Sequence, residues 1–244
     1  HNFKDFIGFP NVGRKSLEYT PTPPLIHKDI KEHRDIFKLI DKKDVLLHFP
    51  FQRFMHLIDI LREAALSPDV TEIKITLYRV AKNSKIVNAL INAARNGKKV
   101  TTVIELQARF DEESNIFWSK RLEEEGVNVH FGMKGLKVHA KLILIRKKDK
   151  KKFKDYVCVS TGNFHESNAN VYTDLSVFTC NKDIASEVDR VFEMFESPYK
   201  NYEFKHLLVA PIFMRNRLEE LINNEIENVK KNRPAYIILK LNNL

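Results

Sequence analysis

The feature that most limits how this chain can fold is an alternation of strand-like apolar runs and helical spacings between residues 72 and 195. "EIKITLYRV" (72–80) reads as a strand, Ser84–Asn96 as a helix stopped by Gly97, and "KKVTTVIEL" (98–106) as a second strand. A helix over Glu113–Glu125 follows, then strands at "VNVHF", 137–145, "DYVCVST" and "TDLSVFTC", and a helix over Ile184–Phe195. Alternation of this kind predicts an α/β layer fold, with a mixed, mostly parallel sheet flanked by helices. Upstream, helices are expected at 28–41 and 51–65, the second carrying Phe54, Leu57, Ile58 and Leu61 at helical spacing. Downstream, a helix at 214–231 and a strand at 235–241 read as the opening of another α/β unit.

The expected organisation is an extended lead-in over 1–27, rich in proline at "TPTPPL", a catalytic-sized domain over 28–205, and an incomplete second domain over 206–244. The strand-like run at the C-terminal end reads as a cut from a longer protein. Basic residues outnumber acidic ones by 41 to 32, a formal charge of +9 that suits an anionic partner without choosing one. The basic run "RKKDKKKFK" (146–154) reads as a solvated hairpin tip. Cys158 and Cys180 read as buried thiols of a reducing compartment, and no apolar stretch spans a bilayer. The location expected is cytoplasmic.

Chemistry concentrates in "KVHAKLILI" (137–145) and in "STGNFHESNANVYTDLS" (160–176). On a strand over 137–145, His139 and Lys141 would point to one side, because strand side chains alternate. Neutral imidazole is a nucleophile toward phosphorus, and an ammonium beside it can hold a phosphoryl oxygen. Asn163 adds an amide, and Gly162 permits close approach of the backbone. The plain alternative is a partly exposed strand with an incidental histidine.

These pieces resemble half of a phospholipase D-type site, where two His-x-Lys halves meet, although Arg146 stands where that motif usually has Asp. Five longer words occur in order: "LLHFPFQRF", "EIKITLYRVAKNSKI", "ELQARFDEESNI", "GLKVHAKLILI" and "STGNFHESNANVYTDLS". Together they are similar to the ATP:polyphosphate phosphotransferase family, the polyphosphate kinases with phospholipase D-like catalytic domains. The resemblance implies a phospholipase D-like sandwich and reversible transfer of the ATP terminal phosphate to polyphosphate through phosphohistidine. It makes His139 the nucleophile with Lys141 beside it. Arg79 and Arg109 become phosphate contacts associated with magnesium through phosphate oxygens, and Tyr172 and Asn163 nucleotide or phosphate contacts. It implies Mg2+, ATP, ADP and polyphosphate as partners, no nucleic acid, a homo-oligomer in the longer protein and peripheral association with membrane.

Plainer readings stand beside these. Arg79 and Arg109 could be surface ion-pair residues, Tyr172 a core aromatic, His48 structural and His165 a turn residue. Asp111, Glu112 and Glu113 read first as helix N-terminal acids. Two other functions are weighed: a phospholipase D-type phosphodiesterase, and a non-catalytic polyanion-binding module. Little turnover is expected of these residues alone.

Overall fold

The computed structural model describes residues 6, 9–10, 12–20, 22–32, 35–108, 112–133 and 135–239. In chain order the elements are α1 (Lys28–Glu32), α2 (Ile36–Lys42), β1 (Val45–Phe49), α3 (Met55–Leu66), β2 (Val70–Leu77), α4 (Lys85–Arg95) and β3 (Lys99–Ile104). They continue with α5 (Glu112–Glu124), β4 (Asn128–His130), β5 (Lys141–Asp149), β6 (Lys152–Ser160), β7 (Asp174–Thr179), α6 (Lys182–Glu196) and α7 (Met214–Lys230). Seven strands form one sheet in the order β1-β7-β6-β5-β2-β3-β4.

The α/β sheet between helices is as expected, but its parallel share is smaller. Only β2–β3 and β3–β4 pair in parallel, and the other four joins are antiparallel. The cause is the chain after β4: it returns beside β2 in the opposite sense and then folds back through the basic hairpin of β5 and β6. That hairpin turns at Lys150, whose φ is 55°, in solvent as its charge demands.

Side-chain alternation on β5 shows how the sheet is filled. Ile143 and Ile145 enter the larger core with Phe37, Leu57, Leu61 and Leu90 from α2, α3 and α4. Leu142 and Leu144 face the other way, onto Val188, Val191 and Phe192 of α6. Burying each such side chain contributes about 1.5–3 kcal/mol. Strand β2 is buried at every position except Thr71, because both of its faces are covered, and its polar Glu72, Lys74 and Thr76 are enclosed along with its apolar residues.

The α6 side also carries buried charge. Arg146 holds Asp155 through two bonds of 2.8 Å, Glu72 at 2.9 Å and Asp189 at 2.8 Å, while Lys74 meets Asp189 at 2.7 Å. The Asp155 bonds, outweighing burial, raise the Arg146 pKa. Arg146 is thus a fastener between sheet and α6, at the far end of β5 from Lys141.

Several boundaries differ from expectation. "VLLHF" is the edge strand β1, too short for its alternation to stand out, and His48 lies in it with its N–H on Gln52 Oε1 (2.7 Å). The 28–41 helix is two helices, because Asp35 caps a new one by accepting the Lys38 N–H at 3.1 Å. Strand β5 begins at Lys141 rather than 137: Thr76 Oγ1 donates to Ala140 O (2.7 Å) and accepts from Leu142 N (2.9 Å), replacing the ladder there. Cys158 is buried, whereas Cys180 is half-buried just past β7.

Beyond α6 the chain is tied back to that helix. Tyr202 Oη donates to Glu193 O at 3.0 Å and Ser197 O at 2.8 Å, and Phe204, Leu207 and Val209 pack against the core on that side. Glu187, 3% exposed, accepts the N–H groups of Lys205, His206 and Leu207 at 2.7–3.2 Å. Helix α7 follows with none of its residues buried, and its stripe of Leu218, Leu221, Ile222 and Ile226 is open. Residues 235–239 are not a strand, since no strand among the described residues pairs with them; 240 and 241 lie outside the described residues.

Candidate functional site

Four chain segments meet at one edge of the sheet. Because β5 runs antiparallel to β2, its first residue stands beside the exit of β2 at Tyr78–Arg79. Lys141 is in register with Ser160 at the end of β6, and Ser160 with Ser176 near the start of β7. The carboxyl ends of the parallel strands β2 and β3 open on the same edge, where α/β sheets commonly place ligands.

His139 lies in the irregular stretch before β5 and is exposed, while Lys141 is 6% exposed. Both meet Tyr78. The imidazole packs edge-on to the phenol ring, with centroids 4.6 Å apart and planes at 80°. The Lys141 ammonium lies 5.3 Å from the ring centroid and the Arg79 guanidinium carbon 6.0 Å from it, within cation–π range. Lys141 also donates to the carbonyl of His139.

The electrostatics follow from this crowding. Although His139 as a residue is exposed, partial desolvation of its ring lowers its pKa, with Lys141 and then Arg79 adding to the effect. The neutral, nucleophilic imidazole is therefore favoured at neutral pH. Burial pushes Lys141 down to about 8, opposed by Asp174 and helped by Arg79.

Backbone around these groups is held by buried side chains that sequence reasoning missed. Asn115, with no exposure, accepts from Val80 N at 3.2 Å and donates to Tyr78 O and Glu105 O at 2.8 Å each. Its amide thus grips both sides of Arg79. Glu105, 8% exposed, accepts the Val138 N–H at 2.8 Å, one residue before His139. The only available signal was their place in "ELQARFDEESNI", just past β3 and in the first turn of α5.

The β6–β7 loop brings Gly162 and Asn163 to the same edge. Gly162 is against Asp174: a β-carbon there would stand 2.3 Å from Asp174 Oδ2. The close approach that the glycine permits is thus to Asp174, which accepts from Thr161 Oγ1 at 2.8 Å. Asn163 Oδ1 is enclosed and unpaired among the described residues. Its backbone carbonyl takes the His165 N–H at 2.8 Å, and His165 Nδ1 accepts from Asn168 N at 3.3 Å, so His165 serves the turn. Tyr172 is 58% exposed in this loop, outside the core. Its backbone N–H donates to the Asn168 carbonyl at 2.9 Å, and no ring contact to His139 or Tyr78 occurs among the described residues.

Arg109 and Asp111 lie outside the described residues; Glu112 and Glu113 are exposed in the first turn of α5. Among the described residues no group of three or more His, Cys, Asp or Glu is placed to hold a metal ion. No helix there is long and apolar enough to cross a membrane. Beside His139 and Lys141 opens a cavity of about 580 Å³, walled by Val138, Leu142 and Val159 of the sheet side and by Val191, Met194 and Phe195 of α6.

The same fold occurs in the solved structure of Nuc, a phospholipase D family member from Salmonella typhimurium. It has a TM-score of 0.50 at 16% identity, covering 66% of this chain and 98% of that one. The fold class is therefore phospholipase D-like α/β. The family described as polyphosphate kinase C-terminal domain 1 matches residues 35–201, and polyphosphate kinase C-terminal domain 2 matches residues 207–244. This chain belongs to the polyphosphate kinase family. Polyphosphate kinase of Vibrio vulnificus (strain YJ016) is 49% identical over 244 residues, which is 100% of this chain and 35% of that protein. The crystal structure of polyphosphate kinase from Porphyromonas gingivalis has a TM-score of 0.82 at 40% identity, covering 95% of this chain and 38% of that one. The chain thus spans about a third of the length of such relatives.

Proposed function

We propose that this chain supplies the phosphoryl-accepting half of an ATP:polyphosphate phosphotransferase, with His139 as nucleophile. The observation that carries this reading is the convergence of a neutral-favoured imidazole with the Lys141 and Arg79 cations around one aromatic ring. In the proposed step an imidazole nitrogen of His139 bonds to the γ-phosphorus of ATP, the bond to the β,γ-bridging oxygen breaks, and ADP leaves. A terminal oxygen of polyphosphate then attacks the phosphohistidine, the N–P bond breaks, and the polymer is one unit longer. The reverse sequence makes ATP.

Several phosphates crowd together in such a reaction, so charge neutralisation is the protein's main task. Lys141 and Arg79 are suited to it, and Arg109, Asn163 and Tyr172 belong to the same proposal as phosphate or nucleotide contacts. An arginine has no lone pair for a metal. Magnesium usually enters kinase sites on substrate phosphates with one or two carboxylates. The Asp174 carboxylate near Lys141, and the lack of a group of three or more ligating side chains among the described residues, fit an ion carried in that way. The division into 1–27, 28–205 and 206–244, a cytoplasmic site of action, homo-oligomerisation and peripheral membrane association extend the same reading. So does little turnover by these 244 residues alone.

The test is incubation with ATP and magnesium of the chain, alone and joined to the flanking regions its relatives carry. Intact mass should show one added phosphoryl group, acid-labile and alkali-stable, that disappears in His139→Ala. Polyphosphate binding that persists without any label would identify a polyanion-binding module instead. Hydrolysis of a phosphodiester would identify a phosphodiesterase.

A further inference from the structure

We propose that Tyr78 is a positioning residue that aims the His139 imidazole and sets its spacing from Lys141 and Arg79; the inference rests on the role of His139 given above. Main-chain bonds secure the residues on either side of His139: Glu105 takes the Val138 N–H, and Thr76 takes the Ala140 carbonyl. Neither bond fixes the two side-chain torsions of an exposed histidine. The ring contact with Tyr78 does, since an edge-on pair at 4.6 Å admits a narrow range of imidazole orientations.

The same ring lies under both cations, at 5.3 Å from the Lys141 nitrogen and 6.0 Å from the Arg79 guanidinium carbon. Two like charges drawn to one ring repel, and the ring gives each a favourable contact that offsets part of that repulsion. Tyr78 can serve as a fixed reference because its own backbone is fixed. Its carbonyl accepts from Asn115 at 2.8 Å, and Val80 N donates to the same amide at 3.2 Å. Beyond the last buried residue of β2, Leu77, the ring is half-buried, so it is not part of the core that closes the sheet.

The contacts are made by the ring, so Tyr78→Phe should preserve them and Tyr78→Leu should not. Two readouts decide the matter in this chain. With isotope-labelled histidine, the His139 imidazole resonances, assigned through His139→Gln, should carry a ring-current shift. That shift should be retained in Tyr78→Phe and lost in Tyr78→Leu. The second readout is the rate of phosphorylation by phosphoramidate, a donor that needs no nucleotide site. In it an imidazole nitrogen bonds to phosphorus, the P–N bond of the reagent breaks, and ammonia departs with the released proton. Labelling should be about tenfold slower in Tyr78→Leu and within about twofold of the parent in Tyr78→Phe, as expected when a reacting group loses its orientation.

Unchanged His139 resonances in Tyr78→Leu would overturn the proposal. So would equal labelling of Tyr78→Leu and parent, or a Tyr78→Phe variant as impaired as the leucine one. If the parent itself takes no label at His139, the reading of His139 as nucleophile fails, while the resonances still decide whether Tyr78 holds the ring. Should Tyr78→Leu not fold, Tyr78→Met makes the same comparison.

Discussion

Gly162 and Asp174 are in van der Waals contact so close that a β-carbon on residue 162 would stand 2.3 Å from one carboxylate oxygen and 2.6 Å from the aspartate β-carbon. The aspartate cannot swing away freely, because it accepts from Thr161 Oγ1 at 2.8 Å. Gly162→Ala should therefore destabilise the fold by about 1–3 kcal/mol, the usual cost of overpacking. Asp174→Ala combined with it should recover part of that loss, and a double-mutant cycle in urea checks the coupling. Additive losses would mean that the two residues do not compete for the same space.

Asn115 satisfies three backbone groups at once, two of them on either side of Arg79 and the third on Glu105. Asn115→Leu keeps the volume and leaves Val80 N, Tyr78 O and Glu105 O without that partner. At about 1–3 kcal/mol for each orphaned group, the loss should reach roughly 3 kcal/mol or more in urea unfolding. Inorganic triphosphate binding by the folded fraction should weaken too, because Arg79 is held between the two gripped positions.

Arg146 occupies the place of an expected aspartate, and its surroundings explain why an aspartate would not substitute here. Glu72, Asp155 and Asp189 all bond to the guanidinium. Arg146→Ala would strand Asp155, while Asp189 keeps Lys74 and Glu72 keeps Lys99, and should cost about 3 kcal/mol. Arg146→Lys should recover only part, since an ammonium cannot make the two-pronged bond to Asp155. Calorimetric or urea unfolding of the three proteins orders them, and a wild-type stability for Arg146→Lys would contradict the geometry.

The pH dependence of His139 has a defined sign. Its folded pKa lies below the ordinary histidine value of 6.5, through partial desolvation and then Lys141 and Arg79. The folded state therefore favours the neutral ring. Stability from this group is present above the ordinary value and is lost as pH falls through the lower, folded one. Reactivity toward a small electrophile such as diethyl pyrocarbonate should hence persist to lower pH at His139 than at an exposed histidine. Mass-spectrometric labelling across pH 5–8 measures the two midpoints, and coincident midpoints would refute the shift.

Much of the architecture was legible because β2 to α6 alternate between two periods that are hard to confuse. The misses have physical causes. Strand β1 is 5 residues long, and its partner β7 is remote in sequence. The start of β5 depends on a threonine hydroxyl from β2 taking the place of a ladder bond, which no run of apolar residues announces. In the site, His139, Lys141 and Arg79 were recognisable from their words and do converge. Tyr78, Glu105 and Asn115 were not, because they act through strand neighbours that only the sheet order brings together. The glycine of "TGN" was expected to make room for a ligand, and the room goes to Asp174.

The three consecutive amides that Glu187 collects at residues 205–207 have a consequence for α7. A polypeptide leaving a domain through a free tether samples many headings, and whatever meets it must arrest that wandering. Here one carboxylate anchors the departing backbone to α6. The helix beyond it, with its uncovered leucine and isoleucine stripe, is launched along a set bearing. A surface that closes over the stripe thus meets a chain whose disorder at the exit has already been removed.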